Sequence, residues 1–337
     1  MKYSVLIPVC NTEKYLQQCL ESVRMQRIED YEVIIVNDGS TDNSRLICEK
    51  YEKIDARFKL INQENGGLLL ARRVALKVAR GDYILFLDSD DYWEPDTLEV
   101  VEERINETEA DVIIFGFNCV CEGEILEKRL LLRDHTSFTK DSVEQYLQAW
   151  IETPDLNAIW SKVVKRECID YWNEYEKYKG LSSGEDYIQS IYIVRHAKTI
   201  SYIGKPIYNY RKNPKSISSN FYPDKIRQLF WGRDLFLKSF SEELKLNKSL
   251  TEEFWLSFYR WLVINLVQLY KSCNFTIIKK WNNYIKDQPM YLEGEKYRAK
   301  LSLKSYERAI LQFMRCGNSL LCKGVGLVIK CMQKTKT

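Results

Sequence analysis

The chain has 337 residues, 45% of them hydrophobic, with ten cysteines, two histidines and a formal net charge of +3. That length and apolar content exclude a disordered chain and suffice for two domains, or for one large domain with an extension. No run approaches the ~20 apolar residues of a membrane span, and the N-terminus lacks a signal-peptide pattern, so a cytoplasmic location is expected. The cysteines are scattered, several within apolar patterns, and most read as small reduced core residues. Only His135 and His196 are available to a histidine-based metal site or a Ser-His-Asp triad, which argues against both.

In chain order, 4–9 reads as a strand, and Asn11 and Thr12 as caps of a helix with Leu16, Cys19, Leu20 and Val23 on one face. A second strand, 32–36, ends in Asn37-Asp38-Gly39-Ser40-Thr41-Asp42, which is turn chemistry followed by cap chemistry for a helix over 42–54. A short strand at 58–61 and a loop at 62–67 precede a helix whose inward residues are expected to be Leu70, Val74, Ala75 and Val78. A buried strand at 83–87 follows, then a helix from Pro95 and a fifth strand at 111–117. This β-α alternation predicts an α/β fold: an open, Rossmann-like, mostly parallel sheet with helices on both faces. Ligands of such sheets bind beyond the carboxyl ends of the strands, where Asn11, Asp38, Asn65 and the acidic stretch 88–91 all fall.

The second part is less regular. A strand is expected at 124–132, a helix to about 152 capped by Asp141 and Glu144, and a loop at 182–186 opening a helix over 187–197. Two short strands, 199–203 and 206–210, precede a polar loop at 211–219. From about 221 the pattern turns helical: 224–240, a long helix to Lys271 capped by Ser249 and Glu252, then 276–287 and 301–315. The expected division is therefore 1–118, 119–220 and a C-terminal helical extension, 221–337.

The most informative stretch is Asp82-Tyr83-Ile84-Leu85-Phe86-Leu87-Asp88-Ser89-Asp90-Asp91-Tyr92. Positions i and i+2 of an extended chain face the same way, which would set Asp88 and Asp90 side by side. Neighbouring buried anions repel unless a cation sits between them, and an oxygen-only donor set suits Mg²⁺ or Mn²⁺. Such a cation completes its shell with substrate phosphates. Asp38 could accept the N3–H of a uracil, or it could cap a helix or brace its turn. Arg72 could neutralise phosphate, or form a salt bridge. The chain has neither G-x-G-x-x-G after a strand nor a P-loop, so dinucleotide redox chemistry and P-loop chemistry are not supported, and no nucleic-acid partner is expected.

Val5-Leu6-Ile7-Pro8-Val9-Cys10-Asn11, Val36-Asn37-Asp38-Gly39-Ser40-Thr41-Asp42, Asn65-Gly66-Gly67 with Ala71-Arg72, and Phe86-Leu87-Asp88-Ser89-Asp90-Asp91 together resemble family 2 glycosyltransferases of the GT-A fold. The likeness is dense over 3–96. It continues through Trp160-Ser161-Lys162, Gly184-Glu185-Asp186 and Tyr210-Arg211. It implies a UDP-sugar donor, with Pro8, Val9, Cys10 and Asn11 around the base, Asp38 on uracil, Asp88 and Ser89 near ribose, and Arg72 near phosphate. Asp90, with Asp88, would hold the Mn²⁺ or Mg²⁺, and Asp186 would be the general base of an inverting displacement. Glu185 is a rival base or an acceptor contact, and Lys162 and Arg211 fall with the acceptor side or behind the site. The chain departs from the family where Cys10 replaces a base-stacking Tyr and where Arg73 adds a cation.

Two other readings stand beside this one. A D-x-D phosphatase is disfavoured because three strands precede the motif, and a catalytically silent nucleotide-sugar-binding partner would tolerate Cys10 and Arg73. Residues 296–337 carry ten Lys or Arg and one acidic residue. A stripe of Leu303, Tyr306, Ile310 and Phe313, opposite Lys300, Lys304, Arg308 and Arg315, could lie on an anionic membrane or pack on the protein. Membrane contact would bring the enzyme to a glycan acceptor linked to polyprenyl diphosphate, peripheral on the inner face of the plasma membrane.

Overall fold

The computed structural model describes residues 1–170, 181, 184–212, 221–316 and 320–326, and the chain divides into two compact units, 1–214 and 215–337. The first unit is built on β1 (Tyr3–Val9), α1 (Glu13–Arg24), β2 (Tyr31–Asp38), α2 (Ser44–Ile54), β3 (Phe58–Gln63), α3 (Leu68–Val78), β4 (Tyr83–Phe86) and β5 (Tyr92–Trp93). It continues with α4 (Thr97–Thr108), β6 (Val112–Cys121), β7 (Glu124–Arg129), β8 (Ser137–Thr139), α5 (Val143–Glu152), β9 (Lys162–Lys165), α6 (Glu185–His196) and β10 (Thr199–Arg211).

One sheet runs β3-β2-β1-β4-β9-β6-β10-β5, with β7 beside β6 and β8 beside β10. Strands β3, β2, β1 and β4 are parallel, as are β6 and β10, while β9 is antiparallel to both of its neighbours. The expected α/β sheet is therefore present, but it is mixed rather than mostly parallel, because β5, β7, β8 and β9 all pair antiparallel to their neighbours. Both faces of β1 and β2 are fully buried, as a sheet covered on each side requires.

The periodicity of α1 gave its buried face correctly: Leu16, Cys19, Leu20 and Val23. Its first amide, however, is met by Asp42 Oδ2, 3.1 Å from Glu13 N, and neither Asn11 nor Thr12 caps it through a side chain. The phase of α3 corrects the expectation: Leu69, Ala71, Arg72, Arg73, Ala75 and Leu76 are buried, and Val78 is exposed. Two arginines on the inward face defeat a rule that counts apolar residues only. The expected pair 199–203 and 206–210 is one strand, β10, whose register slips around Pro206 because proline cannot donate to the ladder. Strand β9 has four residues and was not foreseen. The turn before α5 is closed by Ser142 Oγ accepting from Thr139 N at 2.7 Å, not by Asp141 with Glu144.

Glu32 ties β2 to the strands on either side of it. Its carboxylate is 1% exposed and accepts from Ser4 Oγ, Arg80 N, the Arg80 guanidinium and Lys59 Nζ. Burial raises its pKa, but the lysine, the Arg80 groups and the Ser4 hydroxyl outweigh burial and hold it below the usual value. A depressed folded-state pKa gives stability that is present above the unfolded value and lost as pH falls through the folded one. Glu32→Gln is expected to cost about 1–3 kcal/mol in urea unfolding at pH 7. The difference from wild type should shrink as pH falls below the ordinary glutamate value and through the lowered folded-state pKa.

The second unit is helical: α7 (Lys225–Ser239), α8 (Ser241–Leu246), α9 (Lys248–Ser272), α10 (Phe275–Lys286), α11 (Pro289–Arg298) and α12 (Ser305–Arg315). Phe236, Phe240, Phe254, Phe258, Tyr259 and Tyr270 are buried in it. Helix α9 is capped by Asn247 Oδ1, which accepts from Leu250 N at 3.0 Å, two residues ahead of the expected cap at Ser249 with Glu252. Helix α11 was not anticipated. Helix α12 lies against α9 and buries Ile310, Leu311 and Met314. Leu303, Tyr306 and Phe313 are only half-buried, so the expected stripe is rotated toward the protein. Arg308 and Arg315 face outward, and Leu320 and Leu321 are exposed. Residues 327–337 lie outside the described residues. No helix among the described residues is long and apolar enough to cross a membrane.

Candidate active site

Because β1, β2 and β4 run parallel, the loops after them meet at one edge, and side-chain hydrogen bonds stitch those loops together. Asn11 Oδ1 accepts from Thr41 N at 2.8 Å, Thr12 Oγ1 donates to Ser89 Oγ at 3.0 Å, and Asn65 Nδ2 donates to the Asp38 carbonyl at 2.9 Å. Gly39 has φ +67°, and a Cβ there would run into the backbone nitrogen of Asn65, so glycine lets the two loops close on each other. Pro8 and Val9 are buried in β1, while Cys10 is exposed beside Asn65, whose Nδ2 lies 3.3 Å from its sulfur.

Asp38 is 2% exposed, and its carboxylate is turned into the fold. Oδ1 accepts from Gln63 Nε2 and Gly66 N, both at 2.7 Å, and Oδ2 accepts from Gly67 N at 2.9 Å. These contacts neither cap α2 nor close the Asp38-Gly39 turn; the carboxylate braces the loop entering α3.

The acidic stretch forms a tight turn, with Asp91 N donating to the Asp88 carbonyl at 3.0 Å. Strand β4 stops at Phe86, so the two carboxylates are carried by a turn and not by an extended strand, yet Asp88 still lies near enough to raise the pKa of Asp90. The three carboxylates take separate roles. Asp91 is buried, accepting from Tyr208 OH and from Arg211 N, each at 2.7 Å. Burial, then Asp90 and Asp88, push its carboxyl well up. Asp88 Oδ1 pairs with Arg72 Nη2 at 2.7 Å. Asp90 is half-buried, and among the described residues no other side chain bonds its carboxylate. Burial and then Asp88 push Asp90 up to about 6, against the pull of Arg211. Asp90 is thus the carboxylate of the turn left without a side-chain partner among the described residues.

Arg72 is 1% exposed and joins distant parts of the chain: Nη2 holds Asp88, and Nη1 holds Asp186 Oδ1 at 2.6 Å. It forms the salt bridge that the sequence left open, and a double one. Burial opposes its charge, but Asp88, Asp186 and Glu185 outweigh it and keep the guanidinium protonated. Arg73 points elsewhere, to the Asp170 carbonyl, so its charge does not join the acidic turn.

Helix α6 opens at Gly184 (φ +85°), which turns Glu185 and Asp186 into its first turn, where the helix dipole favours anions. Asp186 Oδ2 accepts from Ile159 N at 3.3 Å. Among the described residues Glu185 Oε2 is buried with no hydrogen-bond partner, and burial followed by Asp186 pushes this carboxyl up. Lys162 is 1% exposed and donates to the carbonyls of Leu156 at 2.7 Å and Ala158 at 2.6 Å. Burial brings its pKa down to about 7, with Asp186 opposing. It faces the backbone and not open solvent.

Arg211, at the end of β10, braces the acidic turn from outside. Its Nε donates to the Asp90 carbonyl and its Nη2 to Gln18 Oε1, both at 2.8 Å, with Tyr15 and Tyr92 rings 4.6 and 5.2 Å from the guanidinium. Tyr208, Ile159, Gln63, Tyr15 and Gln18 were missed by sequence reasoning. Tyr208 sits in a strand of ordinary alternation, and Ile159 contributes only its amide, so neither carries a composition signal.

An oxygen-seeking cation fits this turn by donor chemistry. Asp90 and the second oxygen of Asp88 are hard donors, and the Asp90 carboxylate is bonded by no other side chain among the described residues. No three His, Cys, Asp or Glu side chains converge among the described residues. Mg²⁺ and Mn²⁺ commonly take only one or two protein carboxylates.

Residues 4–168 match the family described as glycosyl transferase family 2. EpsH of Bacillus subtilis (strain 168), named as a glycosyltransferase, is 36% identical over 219 residues, which is 65% of this chain and 63% of EpsH. The chain thus spans under two thirds of that relative. Glycosyltransferase GlyG of Streptococcus pneumoniae is 28% identical over 287 residues, 80% of this chain and 87% of GlyG. Among solved structures, Staphylococcus aureus TarS 1–349 in complex with UDP-GlcNAc superposes with a TM-score of 0.73 at 23% identity, covering 98% of this chain and 92% of that one. This last likeness establishes the fold.

Proposed function

We propose a reaction for a chain that belongs to the glycosyl transferase family 2: inverting transfer of a hexose or N-acetylhexosamine from a UDP-sugar to a hydroxyl of a glycan acceptor in surface polysaccharide synthesis. The observation that carries it is the Arg72 bridge, which joins Asp88 of the acidic turn to Asp186 of α6 through contacts of 2.7 and 2.6 Å. A donor-side carboxylate and a candidate base, 98 residues apart in sequence, are held by one guanidinium.

In this reading Asp186 accepts the proton of the acceptor hydroxyl as that oxygen forms its bond to the anomeric carbon, because a neutral hydroxyl is a weak nucleophile. The bond to the diphosphate breaks on the opposite side, and its electron pair leaves with UDP. Asp90, with the free oxygen of Asp88, would hold Mn²⁺ or Mg²⁺, which when bound supplies Lewis-acid stabilisation to the leaving diphosphate. Asp38 keeps the loop at Asn65-Gly66-Gly67 in place beside the uracil pocket formed by Pro8, Val9, Cys10 and Asn11, while Ser89 stands near ribose. Glu185, beside the base, contacts the acceptor. The outward basic residues of α12, with Leu320 and Leu321, support contact with an anionic membrane and hence a lipid-linked acceptor.

The test is thermal shift against UDP-glucose, UDP-galactose, UDP-GlcNAc and UDP-GalNAc with Mn²⁺, since a ligand of the folded state raises Tm by mass action. One of the panel should raise Tm and then release UDP on turnover. A pure, folded protein indifferent to all four sinks the reading. Asp90→Asn should weaken Mn²⁺-dependent UDP binding roughly tenfold or more by calorimetry, as the loss of a metal-binding carboxylate predicts. Metal-free UDP binding should change far less.

A further inference from the structure

Lys162 has no place in the reaction above, yet it is a buried lysine whose contacts lead straight to the candidate base. Burying an ammonium is costly unless its donors are satisfied. Here Nζ sits 2.7 Å from the Leu156 carbonyl and 2.6 Å from the Ala158 carbonyl. Those carbonyls flank a tight turn that runs directly into Ile159, whose amide donates to Asp186 Oδ2 at 3.3 Å. The other Asp186 oxygen belongs to Arg72. Asp186 is therefore oriented from two sides, by a guanidinium on Oδ1 and by a backbone amide on Oδ2. The turn that presents this amide is held at two points by Lys162. Ser161 closes the same turn, with Oγ donating to the Ala158 carbonyl at 2.9 Å.

We propose that Lys162 is a positioning residue: its side chain clamps the 156–159 turn so that the Ile159 amide fixes the rotamer of Asp186 toward the acceptor hydroxyl. The inference rests on Asp186 as the base. Lys162 touches neither donor nor acceptor. A base turned away from the reacting hydroxyl loses rate even when both substrates are bound, and a displacement of about 1 Å can cost on the order of 100-fold.

The direct measurement is hydrogen exchange of the full chain by mass spectrometry, read on the backbone amides of 156–161, in wild type and Lys162→Met. Methionine keeps the length and apolar stem and removes the donors. Exchange at 156–161 should speed up while β1 and β2 keep their protection. UDP–Mn²⁺ affinity by calorimetry should stay within about twofold, and turnover of the donor selected by the UDP-sugar panel should fall tenfold or more, the split expected when an interaction serves the transition state alone. In Lys162→Ala, added propylammonium should restore part of that turnover. Unchanged protection at 156–161 in Lys162→Met overturns the clamp. So does turnover at the wild-type level once exchange has risen. Failure of the parent reading shows differently: Asp186→Asn would then turn over like wild type, whatever Lys162→Met does.

Discussion

Asp186→Asn is expected to abolish most transfer, by about 10²–10⁴-fold, the range that a positioned general base contributes. The substitution keeps the size of the side chain and an oxygen for Arg72 Nη1, which lies 2.6 Å from Oδ1 in the wild type. It removes the capacity to take a proton. UDP–Mn²⁺ binding should therefore be little changed, and the loss should appear in kcat, measured as UDP release with acceptor present. Glu185→Gln is the control. Among the described residues its Oε2 is buried and unpartnered beside Asp186, which makes it the other carboxylate able to serve as base. A larger loss in Glu185→Gln than in Asp186→Asn would transfer the role to Glu185.

Arg72→Met should cost about 3–5 kcal/mol of stability, because removing one member of a buried ion cluster leaves the others without compensation. Here two carboxylates, Asp88 and Asp186, would lose their shared cation in a place where its guanidinium is 1% exposed. Equilibrium urea unfolding of the full chain would read the loss on the first unit, whose transition should move to lower denaturant. Arg72→Lys should recover only part of it, since a single ammonium cannot span two carboxylates as a planar fork does. If Arg72→Met unfolded like wild type, the double bridge would not be holding α3, the acidic turn and α6 together.

The relation between these residues shows how far the chain could be read without its structure. Strand ends and turn signals were local, so β1, β2, β4 and the helices between them were legible, as was the convergence of Asn11, Asp38, Asn65 and the acidic turn on one edge. Parallel strands connected by helices permit no other arrangement of those loops. The roles of the polar groups were not legible. Asp38 was weighed as a uracil contact, a cap or a brace of its own turn, and only the approach of Gln63, Gly66 and Gly67 shows which loop its oxygens hold. Arg72 and Arg73 are adjacent and chemically alike, yet one bridges Asp88 to Asp186 and the other meets the Asp170 carbonyl.

The sequence by itself determined the parallel strands β1 to β4, the edge that bears the site and the family motifs. These depend on periodicity, turn propensity and residue order, which are properties of neighbours along the chain. Tertiary structure alone decided that Asp91 is a brace and Asp90 the open carboxylate, and that Lys162 faces backbone. It also decided that α12 turns its apolar side onto α9. Those outcomes depend on partners dozens of residues away. A carboxylate or an ammonium takes its role from whatever donors and acceptors the fold brings within about 3 Å.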